Sequence, residues 1–138
     1  MSVRSEIHEI EKLLSPQEYD FLGYEDNYTE GDHLCTKVLK DSSNRPIAYV
    51  EIDRWDFGDG EVYGYIDVAT APQSRGKGYA YRLIKEAMYE VHSKHPEVKF
   101  MYCAKKNNTP SKNLAIRLGF KPIEIDNPEY DGFIYMFD

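Results

Sequence analysis

Cysteine is scarce in this chain of 138 residues: Cys35 and Cys103 are its two cysteines, they lie far apart, and neither has a CxxC partner. That pattern excludes a disulfide framework and a thiolate metal cluster. His8, His33, His92 and His95 show no ligand spacing, so no metal is expected. No apolar run approaches the roughly 18 residues that a membrane span needs, and Met1-Ser2-Val3-Arg4-Ser5-Glu6 lacks the apolar stretch of a signal peptide. A cytoplasmic protein with no membrane partner is the plain expectation. Positive charge is also short. The 17 Lys and Arg stand against 24 Asp and Glu, a net charge of −7, and a phosphate backbone needs a positive surface, which argues against nucleic-acid binding. The size fits one domain over residues 1–138 with a real core.

What charge there is lies unevenly. Between Glu51 and Asp67 six carboxylates (Glu51, Asp53, Asp56, Asp59, Glu61, Asp67) face one base, Arg54. Basic residues gather further on, at Arg75, Lys77, Lys105, Lys106 and Lys112. One region suits an anionic ligand and the other a cationic one, although a solvated acidic hairpin would read the same way. The stretch Gln73-Ser74-Arg75-Gly76-Lys77-Gly78-Tyr79-Ala80 follows a predicted strand and opens a predicted amphipathic helix. Glycines there let a ligand approach the backbone, and the unpaired N–H groups and dipole of the helix start attract phosphate. Arg75 and Lys77 add full charges. The spacing is not Walker A, because Tyr79 follows Gly78, nor is it the dinucleotide fingerprint.

Gln73-x-x-Gly76-x-Gly78 resembles the acetyl-CoA-binding motif of the GNAT superfamily of N-acetyltransferases. Val68-Ala69-Thr70-Ala71-Pro72 resembles the end of that family's central strand. Asn108-Thr109-Pro110-Ser111 followed by Leu118-Gly119-Phe120-Lys121 resembles its Asn-x-x-Ala/Ser … Gly-Phe helix. The resemblance runs from about Ile47 to the C-terminus. It implies an α/β (α+β) fold with a mixed, mostly antiparallel sheet of six or seven strands and about four helices. It also implies an enzyme that moves an acetyl group from acetyl-CoA to a primary amine.

Along the chain, Ile7, Ile10, Leu13 and Leu14 fit helix or strand spacing, and the resemblance favours a first strand. Ser15-Pro16-Gln17-Glu18 is a capping box that starts a helix ending near Gly23, and residues 27–32 read as polar loop. Leu34–Lys40 and Ile47–Ile52 read as a hairpin. The strand from Val62 to Thr70 alternates Val62, Gly64, Ile66 and Val68 with Glu61, Tyr63, Tyr65 and Asp67, so an apolar face packs on the core and a face of acids and phenols lines a cleft. Ala80, Leu83, Ile84, Ala87, Met88 and Val91 form the buried stripe of the next helix. Val98–Ala104 is a strand, Pro110–Leu118 a short helix, and Phe120–Ile125 with Gly132–Phe137 a closing hairpin.

Acetyl transfer to an amine requires a fixed cofactor, a polarised thioester oxygen and a deprotonated acceptor. The backbone from Arg75 to Ala80 suits the pyrophosphate. The resemblance implies that the backbone of Val68, Ala69 and Thr70 runs beside the pantetheine arm, an N–H there serving the thioester oxygen. It implies further that Asn108 bonds the pantetheine amide and that Ser111 sits near the sulfur. Glu61, Asp67 and Glu51 are the candidate general bases. Many family members carry a Tyr as proton donor where this chain has Ala115, which leaves Ser111, a phenol such as Tyr102, or solvent for that role. The expected acceptor is a small cationic amine, with a peptide amine as the alternative. A silent acyl-CoA-binding module is the rival from another class, and the chain is expected to be a monomer or homodimer.

Overall fold

The computed structural model describes residues 2–14, 33–56 and 58–137. Helix α1 (Val3–Glu11) leads into β1 (His33–Lys40), β2 (Pro46–Trp55) and β3 (Tyr63–Thr70). A one-turn 3-10 helix, Pro72–Ser74, then precedes α2 (Tyr79–Lys94). The chain closes with β4 (Lys99–Lys105), α3 (Thr109–Arg117), β5 (Lys121–Ile123) and β6 (Tyr130–Tyr135). The six strands form one sheet in the order β1-β2-β3-β4-β6-β5. Every neighbouring pair is antiparallel except β3 and β4. This is the mixed α/β sheet expected, with three α-helices among the described residues. The helix expected over 15–23 and the loop over 27–32 lie outside the described residues.

The first element corrects the sequence reading, since residues 3–11 are helix and not strand. The Ser2 side chain caps it by accepting the Ser5 N–H, and such a cap satisfies a donor that has no intrahelical partner. Ile7 and Ile10, three apart, share one face, and both bury against Tyr49 of β2. The apolar stripe of α2 is as read: Leu83, Ile84, Ala87, Met88 and Val91 pack on Val50, Ile52, Ile66 and Phe100. The sheet thus has α2 and α3 on one face and α1 on the other. Tyr63 and Tyr65 are not cleft residues as expected. They are buried with Met101, Cys103 and Tyr130 in a second apolar cluster.

Candidate active site

β3 and β4 pair only through Tyr63–Lys99, Gly64–Phe100 and Tyr65–Met101. Beyond that the strands part: β3 runs on to Thr70 against β2, and β4 runs on to Lys105 against β6. Backbone groups on the parted edge of β3 have lost the ladder that would satisfy them and turn toward whatever fills the gap. The gap is a cleft of about 610 Å³ whose floor includes Val68, Ala69 and Thr70.

The start of α2 closes one end of the cleft, with Gly76, Gly78, Tyr79 and Ala80 in its lining. Gly76 (φ +80°) and Gly78 (φ +79°) are left-handed, and a Cβ built on either meets nothing within 4 Å among the described residues. Glycine is required there by the backbone, which L side chains rarely adopt, and the space above stays open. No side chain caps α2, so its first N–H groups and the positive end of its dipole face that space. The Arg75 Nε donates to the Thr70 carbonyl at 3.2 Å and ties the turn to the end of β3. Ser74 and Arg75 line the cleft, whereas Gln73 and Lys77 are exposed and outside its lining.

The opposite wall comes from β4 and α3. Asn108 caps α3 by accepting the Ser111 N–H on Oδ1 at 3.3 Å, and it lines the cleft. The Tyr102 phenol and the Ser111 hydroxyl are 2.6 Å apart, and both residues line the cleft. Ala115 is fully buried in the same core cluster as Tyr102. Lys106 and Lys112 are ion-paired with Asp131 at 2.7 and 3.2 Å and do not line the cleft. Arg117, which does, lies 5.1 Å from the centre of the Tyr81 ring, and Tyr81 also lines it. Neither residue was singled out in the sequence. Tyr81 is legible in hindsight as the third residue after Gly78, but Arg117 reaches the site only because α3 packs beside α2.

The candidate bases separate by position. Glu61 precedes β3, is exposed, and pairs with Lys99 at 3.3 Å, outside the cleft lining. Asp67 on β3 is buried and stands opposite Glu51 of β2 in the register. Glu51 is committed to the Arg4 guanidinium at 2.7 Å and the Thr36 hydroxyl at 3.3 Å. Asp53, two residues along the same face, accepts from or shares a proton with His33 Nδ1 at 3.1 Å. Burial and the neighbouring Glu51 push its carboxyl up to about 6. Cys35 and Cys103 do not line the cleft. Burial and a bond to Glu90 push the Cys35 thiol up to about 12, which leaves it a poor nucleophile.

The acetyltransferase (GNAT) family model matches residues 4–120. No curated protein matches the chain. Solved structures share its fold at low identity. The GNAT domain of S. lividans PAT aligns with TM-score 0.75 and 11% identity over 98% of this chain and 86% of that one. A spermidine N-acetyltransferase SpeG chimera from Vibrio cholerae and hSSAT aligns with TM-score 0.66 and 18% identity over 97% and 91%. Arabidopsis thaliana NAA60 in complex with acetyl-CoA gives 0.67 and 18% over 95% and 91%. With the family match spanning most of the chain, and a parted parallel strand pair ending in a glycine turn at a helix start, the protein belongs to the acetyltransferase (GNAT) family.

Proposed function

We propose that the protein transfers an acetyl group from acetyl-CoA to a primary amine by direct attack, and that the acceptor is a small cationic amine. The observation that carries this reading is the gap between β3 and β4 ending at the left-handed glycines of an uncapped helix. An extended amide-bearing arm fits beside the parted edge of β3, and a pyrophosphate fits the helix start. The Asn108 amide and the Val68–Thr70 backbone hold and orient the arm, and an N–H of that strand polarises the thioester oxygen. Acetyl-CoA supplies an activated acyl group on a thiol leaving group. Asp67, outside the cleft lining but buried next to Val68 on its floor, takes the ammonium proton through a water. The hydrogen-bonded Tyr102–Ser111 pair returns a proton to the departing sulfur. As the new C–N bond forms and the C–S bond breaks, the ammonium loses two protons, one to Asp67 and one that replaces the proton the Tyr102–Ser111 pair gives to the thiol. No cysteine lines the cleft, which favours direct transfer over an acyl-enzyme. Asp67, buried beside Val68 of the cleft floor, favours a cationic acceptor.

The test combines binding and turnover. Acetyl-CoA is expected to raise the melting temperature of the wild type and to leave Gly78→Glu unchanged, because that side chain enters the phosphate space. Thiol release is then followed with polyamines, aminoglycosides and lysine peptides, and one amine class is expected to support it. A folded wild type that acetyl-CoA does not stabilise would overturn the cofactor assignment. Stabilisation without release from any amine would make the protein a binding module.

A further inference from the structure

We propose that His33, Glu51 and Asp53 bind a divalent transition-metal ion, zinc by the nature of the donors, on the sheet face covered by α1. None of the three lines the cleft. The strand register creates the group. His33 of β1 stands opposite Asp53 of β2, and Glu51, two residues before Asp53, projects from the same face. One ligand atom from each lies within 4.8 Å of the others. The separations are 3.1 Å from His33 Nδ1 to Asp53 Oδ1 and 4.0 Å from Nδ1 to Glu51 Oε2. Ligands about 2.1 Å from a tetrahedral zinc stand roughly 3.4 Å apart, so small side-chain rotations bring the three onto one ion. An imidazole nitrogen with two carboxylates suits zinc and its neighbours better than calcium or magnesium.

Two further observations point to a ligand. Thr36 donates its hydroxyl proton to Glu51 Oε2 at 3.3 Å and lies 2.9 Å from His33 Nε2. In the tautomer where its oxygen accepts an Nε2–H, Nδ1, which faces the carboxylates, is the ring nitrogen offered to an ion. Fixing of the ring by a hydrogen bond at its far nitrogen is how metal-binding histidines are held. Independently, Asp53 is 2% exposed and directs its carboxylate into the group. One oxygen meets His33, and the other, Oδ2, is buried with no hydrogen-bond partner among the described residues. A buried carboxylate oxygen left this way is costly, and a bound cation satisfies it. Arg4 lies on Glu51 and shares that carboxylate with the ion, so it acts as a competitor.

The experiment uses the full chain stripped with a chelator, titrated with Zn²⁺ alone by calorimetry and with Co²⁺ alone by visible absorption. One zinc per chain is expected, with a cobalt spectrum of nitrogen–oxygen coordination and a rise in melting temperature. His33→Gln and Asp53→Asn should abolish all three signals, and circular dichroism reports whether each variant is folded. Asp53→Asn removes a buried charge, so it is the variant expected to keep its fold. Thr36→Val should weaken binding roughly 10- to 100-fold by releasing the ring, and Arg4→Gln should tighten it. A wild type that takes up no zinc overturns the proposal. So does uptake that persists in the folded Asp53→Asn variant, which would mark binding at surface histidines.

Discussion

Ala115 shows how one side chain redistributes a chemical role. Its methyl is fully buried in the cluster that holds Tyr102, so α3 presents no phenol of its own to the cleft at that position. The phenol present instead comes from β4, where Tyr102 is hydrogen-bonded to Ser111 at 2.6 Å. On the acetyl-transfer reading, a proton on this pair is the one nearest the departing sulfur. Tyr102→Phe is therefore expected to lower kcat about 100-fold, the lower end of what a positioned acid contributes, with little change in the KM for acetyl-CoA. Steady-state thiol release measures both constants, and an unchanged kcat would return the role to solvent. Ser111 could be named from its place in the Asn108 motif. The sequence offers Tyr102 only as one phenol that could serve beside Ser111 or solvent, because its bond to Ser111 spans a strand and a helix.

Elements show which local rules held. α2 was legible because its stripe, its glycine start and its strand all agree. α1 was misread because four apolar residues in Glu6–Leu14 fit both periods; the Ser2 cap and the contact of Ile7 and Ile10 with Tyr49 decide for helix. Glu61 was grouped with Tyr63 and Asp67 by alternation, but β3 begins at Tyr63. The alternation therefore ends before Glu61 reaches the sheet. The closing β5–β6 hairpin carries its own constraint. A Cβ on Gly132 would lie 2.6 Å from Ile125 Cγ2 and 3.4 Å from Ile123 Cγ1. Gly132→Ala is expected to destabilise the fold by about 1–3 kcal/mol through overpacking, read as a lower urea midpoint at unchanged slope. No shift of the midpoint would mean that the hairpin relaxes freely away from β4.

At the scale of the molecule, the cleft is a place where the sheet is incomplete. Only three residue pairs join β3 to β4, so a ligand in the gap bridges the β1–β2–β3 half of the sheet to the β4–β6–β5 half. Filling it should stabilise the whole chain and not one loop. At 100 times its Kd, acetyl-CoA is expected to add about 2.7 kcal/mol to unfolding, a rise of roughly 9 °C in melting temperature for a chain of this length. A single calorimetric transition that moves as one measures this; a split transition, with only part of the heat shifting, would contradict it. The sequence by itself determined the family, the order of most elements and the glycine turn. Those features rest on local periodicity and on backbone conformations that only particular residues adopt. Tertiary structure decided which acids are buried, since Glu51, Asp53 and Asp67 are sequestered while Asp56, Asp59 and Glu61 are exposed. It also decided that Tyr102 meets Ser111 and that His33 meets Asp53. Those pairings are set by strand register and by packing between segments distant in the chain, and no local pattern encodes them.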